Sequence, residues 1–186
     1  MKKYIFLILF FALIVFLGRV LPHPYNFTPL IAIALLSGHA FPSKSLALIA
    51  PLLGFLLSDI VINNFIYAGY YPDFIIFSSG MIWTYGAILL ITLFGSSFID
   101  NISSKKVILA SLSGSTIFYL ISNFGVWAFT PIYAKTLAGL LKCYSLALPF
   151  YGTSLMGDLV YCGIFFGAYQ LVFSKNLSFL TSQSKT

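Results

Sequence analysis

The sequence predicts an all-α protein, an integral membrane bundle of about six transmembrane helices. Hydrophobic residues make up 60% of the 186-residue chain and charged residues only 8%, whereas a soluble domain carries about 25% charged residues. Such an apolar surface needs a lipid solvent. The apolar residues also form runs close to the roughly 20 residues that a helix needs to cross a bilayer, and short polar or proline-containing segments separate the runs.

The first predicted helix is Tyr4–Leu17. Arg19, Pro22 and Pro24 end it, because closely spaced prolines deny a helix its hydrogen bonds. Lys2 and Lys3 followed by this apolar run resemble a secretory signal peptide, but no small-x-small cleavage site follows. The sequence therefore predicts a retained first helix.

The second and third predicted helices are Thr28–Phe41 and Ser45–Asn63. Thr28 is expected to cap the second helix, and Pro29 suits its first helical position. This helix is short, which leaves open whether it spans the membrane or is re-entrant. Pro51 is predicted to kink the third helix, and a mixed segment follows it over residues 64–79.

Three more helices are predicted at Gly80–Phe98, Val107–Phe129 and Thr153–Phe173. The segment Thr130–Pro149 is amphipathic and ends in proline, so we expect it to lie at the membrane interface or to dip into the bundle. The chain is predicted to form one transmembrane domain over residues 1–175, and residues 176–186 are predicted to be a polar, disordered cytoplasmic tail.

The net charge of +6 arises from nine lysines and one arginine that lie mostly between or beyond the apolar runs, which favours a topological role over nucleic-acid binding. With a cytoplasmic N-terminus, only Arg19, Lys135 and Lys142 fall on the outer side. The cytoplasmic side then holds Lys2, Lys3, Lys44, Lys105, Lys106, Lys175 and Lys185. The positive-inside rule therefore predicts that both termini are cytoplasmic.

Polar residues within the apolar runs predict a binding site, because ionisable groups are costly inside a membrane. Asp59 ends an apolar run in the third helix, and Asp158 falls in the first turns of the sixth. Further polar and aromatic residues are predicted at the same depth, in the outer half of the bundle. They predict an outward-opening pocket for a small polar molecule, lined by Asp59, Asn63, Asn123, Trp127, Asp158, Arg19, His23 and Asn26.

These residues also have purely structural interpretations. Asp59 and Asp158 could pair with Arg19, Lys135 or Lys142, or could cap helix ends. Trp127 could be an interfacial anchor, and His23 a turn residue. The small-residue pairs Ala34/Gly38 and Ala50/Gly54 indicate close helix packing within the chain or docking to another membrane subunit.

The sequence has no nucleotide-binding phosphate loop, no His-Glu-x-x-His motif and no Gly-x-Ser-x-Gly motif. Cys143 and Cys162 have no metal-binding spacing. We therefore predict no catalytic residue, no metal site and no cofactor.

The stretch Arg19–Pro29, Arg-Val-Leu-Pro-His-Pro-Tyr-Asn-Phe-Thr-Pro, resembles the signature of a group of small bacterial membrane proteins of unknown function that are described as transport proteins. That group is similar to the substrate-binding S components of energy-coupling factor (ECF) vitamin transporters. Three more stretches resemble the same group: Ser58-Asp59, Asn123–Trp127, and Leu146–Phe150 with Gly157–Leu159.

The resemblance implies a subunit of the bacterial cytoplasmic membrane that takes up a small polar, vitamin-like substrate. Its partners would be a membrane coupling subunit and cytoplasmic ATPases. The first helix contains only Ala12 where S components carry an Ala-x-x-x-Ala docking motif. Two other functions stay open: a stand-alone or proton-coupled carrier, with Asp59 and Asp158 as proton relays, and a structural subunit without a ligand.

Overall fold

The described part of the protein contains six α-helices and two short helical turns, joined by non-helical connections. The computed structural model describes the backbone of residues 2–70, 73–78 and 80–183, and the side chains of residues 4–69, 73–78 and 80–172. A π-helical turn, Ile62–Ile66, extends the third helix, and a 3-10 turn, Ala68–Tyr70, follows it. The α-helices are α1 (Lys2–Val20), α2 (Leu30–Ala40), α3 (Lys44–Val61), α4 (Met81–Phe98), α5 (Ser104–Phe129) and α6 (Leu137–Gln183). The all-α prediction is confirmed for these residues.

Four helical stretches are long and apolar enough to cross a membrane: Lys44–Ile66, Met81–Phe98, Ser104–Phe129 and Leu137–Val172. α1 and α2 give shorter apolar helices, Tyr4–Val20 and Leu30–Ala40. Large apolar side chains such as Phe6 and Met156 are exposed on the outside of the bundle, where lipid would cover them. These features are consistent with a membrane protein.

α2 lies in the centre of the bundle. Nine of its 11 residues, from Leu30 to Gly38, are buried, and it contacts each of the other five helices. A helix enclosed in this way is apolar on all sides. It begins at Leu30, with Pro29 at the N-cap position and no side-chain cap hydrogen bond. The predicted start and cap at Thr28 are therefore wrong.

Small residues bring two pairs of helices into close contact. A Cβ atom at Gly54 of α3 would lie 2.5 Å from the carbonyl oxygen of Ala12 in α1. A Cβ atom at Gly38 of α2 would lie 2.6 Å from the amide nitrogen of Ser96 in α4. Both small-residue pairs thus pack helices of this chain together, and their surfaces are already covered within the chain.

α6 differs most from the prediction. It begins at Leu137, sixteen residues before the expected start at Thr153, and continues through Pro149. Residues 137–149 are therefore the first part of a long helix, and their expected position at the membrane interface or within the bundle stays a prediction. The helical backbone ends at Gln183, within the segment 176–186 that the sequence predicts as a disordered tail.

Packing against α5 explains why α6 continues through a proline. Proline removes one helical hydrogen bond and normally ends or kinks a helix. Here the Tyr119 hydroxyl donates to the carbonyl oxygen of Tyr144 at 2.7 Å, and the Tyr144 hydroxyl donates to that of Leu120 at 2.7 Å. These bonds hold the first turns of α6 against α5 independently of Pro149.

The helices alternate in direction, so their connections gather at two ends. Arg19 at the end of α1 contacts Asp59 near the end of α3. His39 Nδ1 at the end of α2 lies 2.7 Å from the carbonyl oxygen of Ile99, which follows α4. We call the end with connections 21–29, 62–80 and 130–136 the Arg19 end, and the end with connections 41–43 and 99–103 the Lys44 end.

Candidate functional site

A cavity of about 640 Å³ lies at the Arg19 end of the bundle. α1, α2, α3, α4, α5 and α6 all contribute to its wall, together with the connections 21–29 and 62–80. Six of the eight predicted site residues line it: Arg19, His23, Asn26, Asp59, Asn63 and Asp158. The structure thus brings these six together, and their binding of a solute remains a prediction.

Arg19 and Asp59 form an ion pair at this cavity. The guanidinium Nη1 of Arg19 lies 2.7 Å from Asp59 Oδ1, and the two side chains are 16% and 8% exposed. Nη1 also donates to the carbonyl oxygen of Phe55 at 3.1 Å and to the Ser58 hydroxyl. The guanidinium carbon lies 3.8 Å from the centre of the Phe55 ring. Both charges are therefore neutralised by contacts within the chain.

Asp158 has a different environment. Its residue is 2% exposed, and its Oδ2 accepts hydrogen bonds from Ser115 Oγ at 2.6 Å and Ser154 Oγ at 3.2 Å. Among the side chains of residues 4–69, 73–78 and 80–172, no basic group contacts Asp158. The predicted pairing with a basic residue is therefore wrong for this aspartate. A carboxylate buried without a countercharge is costly unless a proton or a cation joins it.

Asp158 also lies deeper than predicted. Because α6 begins at Leu137, Asp158 is in the middle of the helix and not in its first turns. Its partner Ser115 is eleven residues into α5, about 17 Å from the start of that 26-residue helix. The cavity therefore reaches from the exposed connection 21–29 to about the middle of the bundle.

The connection 21–29 forms part of the rim of the cavity. Asn26 has φ 59°, a left-handed conformation that asparagine tolerates better than most residues. Phe27 then packs against Gly157, where a Cβ atom would lie 3.0 Å from its ring. His23 is exposed, and its Nδ1 lies 2.6 Å from the carbonyl oxygen of Leu21, which is the geometry of a turn residue.

The π-helical turn Ile62–Ile66 holds another part of the rim in place. Asn64 Nδ2 donates to the carbonyl oxygens of Ile60 at 2.8 Å and Ile75 at 2.7 Å, while its Oδ1 accepts from the amide of Ile75 at 2.6 Å. Asn64 therefore fixes the segment 73–78 to the end of α3. Its neighbour Asn63 is half-buried and lines the cavity. Single π-turns are frequent at functional sites.

Asn123 and Trp127 do not line this cavity. Asn123 Nδ2 donates to the carbonyl oxygen of Tyr119 at 2.8 Å, and the residue lines a neighbouring cavity of about 240 Å³. Trp127 Nε1 donates to the carbonyl oxygen of Ala134 at 2.9 Å. Lys135 Nζ donates to the carbonyl oxygen of Trp127. Trp127 therefore organises the connection between α5 and α6.

The smaller cavity borders the larger one. Asn26, Thr84, Phe118 and Ser154 line both. The rings of Tyr119 and Tyr151 lie with their centres 4.6 Å apart at the smaller cavity, and the hydroxyls of Thr116 and Tyr151 are 2.8 Å apart. The two cavities together offer carboxylate, hydroxyl, amide and aromatic groups to a bound molecule.

Sequence reasoning missed the serines that hold the site together. Ser154 lies four residues before Asp158, so both fall on one face of α6, and this spacing is a usable signal. In the sequence, Ser58 stands out only as the neighbour of Asp59 in a resembling stretch. Neither Ser58 nor Ser115 has a spacing signal, because their partners Arg19 and Asp158 are 39 and 43 residues away.

Searches of curated proteins and of solved structures find no match to this chain. A family model described as "Family of unknown function (DUF6580)" matches residues 1–180. That description assigns no activity, so it does not test the resemblance to ECF S components. Because the match covers almost the entire sequence, the chain belongs to the family of unknown function DUF6580.

Proposed function

We propose that the chain is the substrate-binding membrane subunit of an uptake system for a small polar, vitamin-like nutrient. The cavity of about 640 Å³ at the Arg19 end is its binding site. The observation that carries the proposal is the buried carboxyl group of Asp158 at the inner part of this cavity, inside an otherwise apolar bundle. Small-molecule sites have volumes of about 300–1,000 Å³ and a few converging polar groups.

The proposal includes six crossings of the bacterial cytoplasmic membrane, with both termini in the cytoplasm. Lys44, Lys105 and Lys106 lie at the Lys44 end, and the positive-inside rule favours this end as the cytoplasmic one. The cavity would then open to the outside. The short α2 is compatible with six crossings, because it is enclosed by protein and does not need to match the lipid thickness.

A membrane coupling subunit and cytoplasmic ATPases are proposed as partners, by analogy with ECF transporters. The first helix offers a single alanine, Ala12, in place of their docking motif. Ala12 is 3% exposed and packs against Gly54. A coupling subunit would therefore have to contact residues other than Ala12.

Purification in mild detergent followed by mass spectrometry of bound small molecules tests the proposed function. Asn63→Phe puts a bulky side chain at the cavity wall. Leu141→Phe adds similar bulk at a position that is 59% exposed on the outside of α6, and serves as the control. We expect the wild type and Leu141→Phe to retain the same molecule in similar amounts. Asn63→Phe should retain at least tenfold less of it per protein.

A wild type that carries no small molecule, even after incubation with a metabolite extract, would contradict the proposal. Full retention by Asn63→Phe would contradict the location of the site. The same preparation, analysed for ATPase subunits, tests the proposed partners.

A proton-coupled carrier is the second candidate, and the environment of Asp158 favours it. A buried carboxyl group without a basic partner in the described structure is suited to binding and releasing a proton. Reconstitution in liposomes separates the two candidates. Solute accumulation driven by a proton gradient, with this protein alone, supports the carrier, whereas binding without transport supports the uptake subunit.

A further inference from the structure

We infer that the solute is a small organic cation whose positive group binds at the carboxylate of Asp158. The inference rests on the proposed function and deepens it by naming the chemical class of the solute. Three observations carry it: the charges around the cavity, the free acceptor on Asp158 and the volume and aromatic lining of the cavity.

The charges that line the cavity do not balance. Arg19 and Asp59 neutralise each other at 2.7 Å. Arg19 Nη1 also donates to Ser58 and to the carbonyl oxygen of Phe55, so the chain itself holds the guanidinium at Asp59 and the pair carries no net charge. Among the wall residues that the structure describes, Asp158 is the remaining carboxyl group. The interior of the cavity therefore attracts positive charge.

The hydrogen bonds of Asp158 leave one oxygen available. Ser115 and Ser154 both donate to Oδ2. In the part of the chain whose side chains are described, no group donates to Oδ1. An ammonium or amidinium group has several N–H donors and carries the missing countercharge. Because the site is buried, the attraction between the two charges is stronger than it would be in water.

The size and lining of the cavity favour an organic cation over a metal ion. A single water needs a cavity of only about 10–15 Å³, far less than the 640 Å³ available. Tyr25 and Phe118 contribute aromatic side chains to the wall, and aromatic rings attract cations by their faces. The protein already uses this contact itself, since Arg19 lies over the Phe55 ring at 3.8 Å.

Three probes that share one carbon skeleton test the inference on the intact protein in detergent: benzylamine, benzyl alcohol and benzoate. At neutral pH they are cationic, neutral and anionic. Their binding is measured by ligand-observed NMR. We expect the wild type to bind benzylamine at least fivefold more tightly than the alcohol and to bind benzoate most weakly. Equal binding of the three, a preference for benzoate or no binding of any probe would overturn the inference.

The variant Asp158→Asn keeps the shape of the side chain and removes its charge. We expect it to bind benzylamine at least tenfold more weakly than the wild type, with little change for benzyl alcohol. Asp100→Asn makes the same change at an exposed position of the Lys44 end and should bind as the wild type does. Unchanged benzylamine binding by Asp158→Asn would contradict the assignment. If this variant does not fold, the binding of the three probes to the wild type still tests whether the site prefers a cation.

The molecule that co-purifies with the protein separates this inference from the proposed function. A retained cation supports both. A retained neutral or anionic molecule leaves the proposed function standing and overturns the inference about charge. A protein that retains nothing and binds no probe overturns both.

Discussion

Arg19 Nη1 lies 2.7 Å from Asp59 Oδ1, and this ion pair joins the end of α1 to the end of α3 at the wall of the cavity. Both side chains are mostly buried, and Phe55 and Ser58 complete the contacts of the guanidinium. In such a pair, each partner is tolerated in the bundle because the other is present. Removing one partner should therefore be worse than removing both.

Arg19→Leu and Asp59→Leu should each lower the free energy of unfolding by about 3 kcal/mol, because each leaves a buried charge unpaired. The double variant should lose less than either single variant, because it leaves no buried charge without a partner. Denaturant unfolding in detergent measures all three, with the wild type as reference. Additive losses would show that the two side chains do not stabilise each other.

Gly54→Ala should destabilise the protein, because its Cβ atom would lie 2.5 Å from the carbonyl oxygen of Ala12. Overpacking of this kind costs about 1–3 kcal/mol. Gly163→Ala is the matched control, since a Cβ atom there meets nothing within 4 Å. We expect the control to be neutral or to gain up to about 1 kcal/mol from the helix propensity of alanine. Melting temperatures in detergent compare the two, and equal effects would contradict the close approach of α1 and α3.

Asn64→Ala should free the segment 73–78, because it removes three hydrogen bonds that join the π-helical turn to Ile60 and Ile75. Each such bond contributes about 1 kcal/mol. Hydrogen–deuterium exchange should be faster over this segment and unchanged in α5. Asn63→Ala changes the neighbouring residue, which makes none of these bonds, and should leave the exchange of residues 73–78 as in the wild type. Equal exchange rates of residues 73–78 in Asn64→Ala and Asn63→Ala would show that Asn64 does not hold this segment in place.

The Lys106 ammonium at the Lys44 end donates a hydrogen bond to Asp100, and this bond, with a second from the Asn101 amide, lowers the pKa of the Asp100 carboxyl. A lowered pKa in the folded state means that the contact stabilises the protein above the ordinary aspartate pKa of about 3.9, and that this contribution is lost as the pH falls through the lowered value. NMR titration should show a raised pKa for Asp100 in Lys106→Gln. An unchanged pKa would mean that Lys106 does not form the contact in solution.

Most of the cavity could be predicted from the sequence because ionisable residues stand out in apolar runs. Arg19, Asp59 and Asp158 needed no knowledge of helix packing to be noticed. Alternation of the helices then indicated that Asp59 and Arg19 share one end of the bundle, and the structure places them in contact. Their roles in binding remain predictions.

The direction in which a helical side chain points could not be predicted. Asn123 and Trp127 lie at the appropriate end of α5, but their side chains bond to Tyr119 and Ala134. Which face of α5 meets the cavity depends on how α5 packs against α4 and α6, and the polar residues of α5, which include Ser115, Thr116 and Asn123, do not all fall on one face of the helix.

The start of α6 could not be predicted either, because packing overrides a local rule. Pro149 marks a helix end by its missing N–H, yet hydrogen bonds between α5 and the turn around Tyr144 keep the helix continuous. The predicted depth of Asp158 is wrong for the same reason. Long-range contacts of this kind leave no trace in the local sequence.

Labelling of single cysteines tests most directly whether the cavity is open to water from the outside. Thr84 lines the cavity on α4, whereas Ala87, one turn further along the helix, is 0% exposed. The native Cys143 and Cys162 are 2% and 1% exposed, so their background labelling should be low. We predict that a membrane-impermeant maleimide added to intact cells labels Thr84→Cys and not Ala87→Cys. No labelling of Thr84→Cys in intact cells, with labelling only from the cytoplasmic side of inverted vesicles, would contradict an outward-facing solute site.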